Sequence, residues 1–265
     1  LRKDQVGLIF SGDLLNQCIG SSFTLRNTGI PHLGLYGACS TMAESLLLGA
    51  MLCDGGYLDP VLCAAGSHFC TAERQYRFPL NYGSQRTPTA QWTVTGAGAA
   101  VLKQGALECP RVNAVIFGKI RDLGITDVNN MGAAMAPAAA DTIVSYLKET
   151  NTSPNDFDMI YTGDLGKIGT ELLYHLCEDK GVNLRGRHKD CGNMIFDPIK
   201  QDVHSGGSGC GCSASVLATH IMNKLKSGKL KNILFCATGA LLSPTSTQQG
   251  ESIPCIAHIV NIKSE

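Results

Sequence analysis

The sequence predicts an α/β protein of two pseudo-equivalent halves, each a mostly parallel sheet covered on both faces by helices. Three observations carry that prediction. Short apolar runs bounded by turn residues alternate with helical segments along the chain. Two blocks of the first half recur, in the same order, in the second. Hydrophobic residues make up 44% of the 265 and charged residues only 17%, the balance of a chain with a buried core. The halves are placed at 1–105 and 106–265, meeting near residues 103 to 110.

In the first half, residues 6–10, 33–36 and 60–65 read as buried strands. Residues 39–53 read as a helix that Ser40 can cap, with Glu44 in its first turns and Gly55-Gly56 at its end. Residues 92–102 read as a strand pair running through Gly96-Ala-Gly-Ala-Ala-Val-Leu102. The second half then gives a strand at 111–117, a helix at 141–149, a strand at 159–162 and a helix at 169–178. A helix at 212–226 and strands at 232–237 and 253–262 complete it. Strands alternating with helices imply parallel pairing.

The repeat is explicit. Ile9-Phe-Ser-Gly-Asp-Leu14 recurs as Ile160-Tyr-Thr-Gly-Asp-Leu165, an offset of 151 with four of six positions identical. A second block recurs at offset 173. It sets Cys39-Ser40 on Cys212-Ser213, Leu52 on Leu225, Gly55 on Gly228, and Cys63-Ala64 with Gly66 on Cys236-Ala237 with Gly239. The difference (173 − 151 = 22) places a longer connection between Leu165 and Cys210. A repeat this long is a domain duplication. The second half carries a strand and a helix, 111–150, ahead of its first repeat block, and nothing before Val6 matches them. The expectation is that an N-terminal strand and helix are missing from the chain as given. The first-half sheet should then be one strand short, lacking the counterpart of 111–117.

Composition excludes several classes. The 22 basic residues balance the 22 acidic ones. A generic polyanion binder needs clustered Lys and Arg for counterion release, and no such cluster is read, so no nucleic-acid partner is expected. No apolar run reaches the 18 residues of a membrane span, and residues 1–5 do not form a signal peptide, so a soluble, cytoplasmic protein is expected. The 12 cysteines sit in small-residue or apolar strings, where thiols pack as small hydrophobes in a reducing compartment. His188, Cys191, Cys210 and Cys212 lack the paired spacing of a structural zinc site, and neither metal nor cofactor is expected.

The Cys39 that opens a buried helix, the duplicated halves and the Gly96–Leu102 string together resemble the thiolase and ketoacyl-synthase superfamily. Longer strings resemble the stage V sporulation protein AD family of spore-forming bacteria. These include Ser11-Gly-Asp-Leu-Leu-Asn16, Gly37-Ala-Cys-Ser-Thr41, Thr71-Ala-Glu-Arg74 and Met131-Gly-Ala-Ala-Met-Ala-Pro-Ala-Ala-Ala-Asp141. Asp190-Cys-Gly192, Gly206-Gly-Ser-Gly-Cys210, Ala237-Thr-Gly-Ala-Leu-Leu-Ser-Pro244 and Glu251-Ser-Ile-Pro-Cys-Ile-Ala-His258 extend the likeness to nearly the whole chain. The resemblance implies a thiolase-like α-β-α-β-α fold that binds dipicolinic acid (pyridine-2,6-dicarboxylate), alone or as its calcium chelate. It further implies help with uptake into the developing spore, alongside membrane-embedded SpoVA subunits. A homodimer in the forespore cytoplasm, peripheral to the spore inner membrane, follows from the same likeness.

Whether acyl-transfer chemistry survives is a separate question. In such enzymes a Cys at a helix amino end is the nucleophile, and Cys39 holds that place. Two polarising groups, His-His or His-Asn, are needed from the second half. This sequence has Asp164 after the 159–162 strand and Cys210 at the second helix start. A carboxylate there would repel an oxyanion, so the enzyme reading fails at two of three positions. His68 is the histidine placed to substitute as a base, which keeps a Cys39-dependent acyltransferase or thioester hydrolase as the alternative. Its neighbours Thr71, Glu73 and Arg74 suggest a specialised rim. His258 falls in core or cleft, and the other histidines in surface or helix-face contexts. Asp13 and Asp164, as repeat mates, are expected to cap their own loops by symmetry, Asp164 keeping a chance of lining the pocket. The expected ligand contacts are Cys39, Ser40, His68, Asp164, Gly209, Cys210, Gly239 and Asp13, with the two helix amino ends supplying N–H donors.

Overall fold

The computed structural model describes residues 2–72, 87–105 and 109–264. Glu73 and Arg74, and part of the expected junction between halves, lie outside them. β1 (Leu8–Gly12) is buried along its whole length and pairs in parallel with β2 (His32–Gly34) and β3 (Val61–Ser67). Between them run α1 (Ile19–Leu25) and α2 (Thr41–Asp54), the latter entered through a tight turn at Ala38–Ser40. After α3 (Phe69–Ala72) come β4 (Trp92–Thr93) and β5 (Gly96–Leu102). The second half contains β6 (Arg111–Ile116), α4 (Met131–Glu149), β7 (Met159–Thr162), α5 (Gly166–Glu178), β8 (His188–Asp190) and α6 (Cys191–Met194). β9 (Gly207–Ser208), α7 (Cys210–Val216), α8 (Met222–Lys226), β10 (Asn232–Ala240), α9 (Pro244–Gln248) and β11 (Cys255–Lys263) follow.

The sheets run β2-β1-β3-β5 and β8-β7-β10-β11-β6. Strand for strand they match, except that among the described residues nothing beside β5 corresponds to β6. The first sheet is mostly parallel, as expected, with β5 antiparallel at its edge, whereas the second is evenly mixed because β11 runs antiparallel to both its neighbours. The expected strand pair at 92–102 also resolves differently, since β4 leaves β5 and joins β9 of the other half. α7 and α8 form one rod with a π-helical turn between them at Leu217–Ile221.

Period-two burial builds the layers. On β10, Ile233, Phe235 and Ala237 face one core with α2, α7 and both sheets. Leu234, Cys236 and Ala240 face a second core beneath α4 and α5. α2 and the α7–α8 rod thus lie between the sheets. That position demands apolar surface all round a helix, and Met42, Ala43, Leu46 and Leu47 supply it, at most 2% exposed. On the outer face of the first sheet, Ile9 and Leu62 line a hollow of about 400 Å³ with Thr24 and Leu25 of α1. Their counterparts on the second sheet, Ile160 and Leu234, are covered by α4.

The ladders correct the repeat. Ile9 pairs with Leu62, and its mate Ile160 pairs with Leu234, so the offset there is 172 and not 173 (234 − 62 = 172). A one-residue slip exchanges faces. Cys63 is equivalent to Phe235 in the central core, while Cys236 points to the outer one. Helix α4 starts ten residues before the expected 141 (141 − 131 = 10), because Gly132 and Pro137 read as breakers. Gly132 is there for contact: a Cβ on it would collide with the Leu165 carbonyl oxygen, and Gly169 of α5 sits against it.

The even charge tally conceals one cluster. Lys224, Lys226, Lys229 and Lys231 fall within eight residues that contain no acid, contrary to the reading that no cluster of Lys and Arg is present. No helix among the described residues is long and apolar enough to cross a membrane.

Candidate functional site

The amino ends of α2 and α7 converge. Cys210 Sγ donates to the Gly66 carbonyl at the end of β3 (3.0 Å), and Gly211 N–H donates to Ser67 Oγ (3.1 Å). Gly239, at the matching end of β10, lies against the start of α2, where a Cβ would collide with the Gly37 carbonyl oxygen. Gly239 is therefore a close-approach residue. Ala38 takes a left-handed φ of 51°, a costly conformation for a residue with a Cβ, and it delivers Cys39 to the interface between halves.

Asp164 is fully buried there. Its Oδ1 accepts from Thr238 Oγ1 (2.9 Å), and its Oδ2 from Gly209 N–H (2.9 Å) and Ser208 Oγ (3.3 Å). The thiol of Cys39 adds a further donor. Burial pushes the Asp164 carboxyl up, against the pull of those hydrogen bonds. Burial, and then the charge of Asp164, push the Cys39 thiol well above its ordinary range. Burial pushes Cys210 upward as well. The arrangement suppresses the thiolate and engages the Gly209 N–H.

Repeat symmetry fails at the two aspartates. Asp13 caps its own loop through Leu15 N–H (2.9 Å) and Ser21 N–H (2.7 Å). Asp164 instead reaches across to the 208–209 turn, and Asp190 caps in its place. Asp190 accepts from Thr162 Oγ1 (2.7 Å), Leu165 N–H (2.8 Å), Gly166 N–H (3.0 Å) and Asn193 N–H (3.1 Å). Burial holds its carboxyl up at about 7.

The structure separates the sequence-predicted residues into two groups. Cys39, Ser40, Asp164, Gly209, Cys210 and Gly239 come together at the buried junction. Asp13 and His68 line the hollow on the outer face of the first sheet, with Ser67, Thr71 and Ala97. His68 is exposed and lines this hollow, apart from the buried junction that holds Cys39. The ring of Phe69 next to it stacks on Trp92, centroids 4.0 Å apart.

His188 and His32, expected on surfaces or helix faces, are instead strand residues at the sheet edges. Thr162 gives its proton to Asp190, so it accepts from His188 Nε2–H (2.8 Å), and His188 Nδ1 accepts from Tyr174 Oη (3.1 Å). Burial lowers His188 to about 3. The repeat places the same pair in the first half, Ser11 Oγ with His32 Nε2 at 2.9 Å. His258 accepts Gly118 N–H at Nδ1 (3.2 Å) and is structural.

Gln91 was not legible in advance. Its amide donates to the Asp164 carbonyl (2.7 Å) and the Gly207 carbonyl (2.9 Å), tying a first-half segment to both loops of the site. Only its position before a short strand hinted at that. All 12 cysteines are free thiols, and no metal-holding group of His, Cys, Asp or Glu occurs among the described residues.

Comparison with known proteins agrees with this architecture. The profile of a family described as Stage V sporulation protein AD (SpoVAD) matches residues 1–263. Stage V sporulation protein AD of Bacillus subtilis (strain 168) is 46% identical over 258 residues, covering 97% of this chain and 76% of that protein. Cerulenin-bound OleA of Xanthomonas campestris superposes with a TM-score of 0.63 at 15% identity, covering 99% of this chain and 76% of the other. The 3-oxoacyl-[acyl-carrier-protein] synthase III of Aquifex aeolicus VF5 gives 0.59 at 13%, covering 99% and 79%. At such identities the solved structures share the thiolase-like fold, and their chemistry does not transfer with it.

Proposed function

The chain belongs to the stage V sporulation protein AD family, with a role in sporulation, and from that premise we propose that it is a non-catalytic thiolase-fold protein that binds dipicolinic acid. The proposal includes assistance to uptake of that acid into the developing spore. The observation that carries the non-catalytic half is the Cys39–Asp164 pair: a protonated thiol donating to a buried carboxyl whose other donors are already engaged. Membership of the family is what supports this dianionic ligand, since the N–H groups of Gly209 and Gly211 at the junction are already engaged by Asp164 and Ser67. An ionised Asp164 would repel that dianion. The reading therefore requires a proton on Asp164 or a cation carried in with the ligand, as in its calcium chelate.

The same reading places the protein in the forespore cytoplasm, peripheral to the inner membrane with membrane-embedded SpoVA subunits, as a homodimer. The outer edge of β2 supports a second copy, since Leu33 and Tyr36 beside it are 54% and 50% exposed. Calorimetric titration of the folded protein with dipicolinic acid, with and without calcium, tests the ligand. Saturable heat at a single site is expected. Silence at millimolar ligand in both titrations would overturn the reading.

A further inference from the structure

We propose that the end of the second half opposite the site is a docking surface for an anionic lipid bilayer. α8 closes with Gly228 at φ +69°, and the Lys229 and Leu230 N–H groups both bond the Lys224 carbonyl (2.9 and 3.2 Å). That turn leaves Lys226, Lys229 and Lys231 exposed around its outside. β10 then starts at Asn232, whose ladder partner is Lys263, whose partner in turn is Arg111 at the start of β6. Six cations therefore share one end of one sheet: Lys224, Lys226, Lys229, Lys231, Lys263 and Arg111.

Among the described residues none of the six forms an ion pair. Lys224 and Lys226 complement the carboxy end of α8, which is reason enough for those two and no reason for the other four. Among the described residues, the carboxylates of Asp158 and Asp156, just ahead of β7, are tied to backbone N–H groups. Asp158 accepts the N–H groups of Lys231 and Asn232 (2.6 and 3.0 Å), and Asp156 accepts from Ser153 (2.7 Å). The 224–231 stretch itself carries four lysines and no acid, in a chain whose net charge is zero.

The placement suits a plane. α2 and α7 begin at the site, so the carboxy end of α8 and the starts of β7 and β10 lie on the far side. Five of the six cations are lysines, compact point charges and not the forked donors that read phosphates or bases. No aromatic residue falls within 224–231 on which a base could stack. Lysines brought to an anionic bilayer each add to binding, and the gain is screened by salt. The inference deepens the reading of a protein stationed at a membrane. Its test needs neither ligand nor partner subunit, so the two can fail separately.

The test is sedimentation of the full chain with vesicles of phosphatidylglycerol and phosphatidylcholine, and with phosphatidylcholine alone, at low and raised salt. Salt-sensitive binding to the anionic vesicles only is expected. The triple variant Lys226→Glu, Lys229→Glu, Lys231→Glu should lose it by about 100-fold or more. The triple variant Lys119→Glu, Lys167→Glu, Lys200→Glu, matched in charge, should retain most of it. Circular dichroism melts check that each variant is folded, and glutamine at the same three positions gives a milder version of the loss. Absence of binding at low salt, equal loss in both triple variants, or binding to duplex DNA without binding to vesicles would overturn the proposal.

Discussion

The thiol of Cys39 and the carboxyl of Asp164 are hydrogen-bonded partners across the boundary between the two halves, one 6% exposed and the other not at all. In an acyl-transfer site the thiol would face a base and a set of N–H donors. Here the carboxyl takes the donors for itself and holds the thiol neutral.

Alkylation rates should report that directly. With iodoacetamide near neutral pH, exposed Cys70 is expected to label well before Cys39, followed peptide by peptide in a mass spectrometer. Asp164→Asn removes a charge that raises the Cys39 thiol, so Cys39 should label faster in that variant as pH rises. Labelling of wild-type Cys39 as fast as Cys70 would contradict the assignment.

His188 and Asp190 should give the fold two opposing pH slopes. Asp190 stands at about 7 folded against 3.8 unfolded, so the folded state holds a proton that the unfolded state has released. Through that window stability falls as pH rises. His188 stands at about 3 folded against 6.5 unfolded, so the unfolded state takes a proton that the folded state refuses, and stability rises with pH. Urea melts between about pH 5 and pH 7 should show His188→Gln gaining stability on acidification and Asp190→Asn losing it. Wild type should be flatter than either, and parallel slopes in the two variants would refute the pairing.

Gly239→Ala separates packing from binding. The added Cβ would press on the Gly37 carbonyl oxygen at the start of α2, and neither strand nor helix can yield cheaply. A loss of about 1–3 kcal/mol is expected, read by denaturant unfolding. An unchanged midpoint would show that the approach is looser than the structure has it. Phe235→Ala, in the core between the sheets, should cost about 3–5 kcal/mol by the same measurement.

The order of elements was legible in the sequence because buried strands in a duplicated α/β chain announce themselves by apolar runs. Alternation alone could not set the register of β3 against β10, since Cys-Ala in both strands invites the alignment that the ladders shift by one residue. β8 hid because His188-Lys-Asp190 is polar, and it is polar because a histidine and an aspartate there close a hydrogen-bond chain. The site was half legible. Position along the fold brought Cys39, Asp164 and Cys210 together. Which partner Asp164 would choose depends on the 208–209 turn meeting it from 44 residues downstream, and no local pattern encodes that meeting.

On the proposed function Cys39 carries no acyl group in any turnover, which intact-protein mass spectrometry after incubation with a short-chain acyl-CoA reads out. An unshifted mass at neutral pH is expected in wild type and in Cys39→Ala alike. A stoichiometric acyl adduct that appears in wild type, maps to Cys39 and vanishes in Cys39→Ala would contradict it.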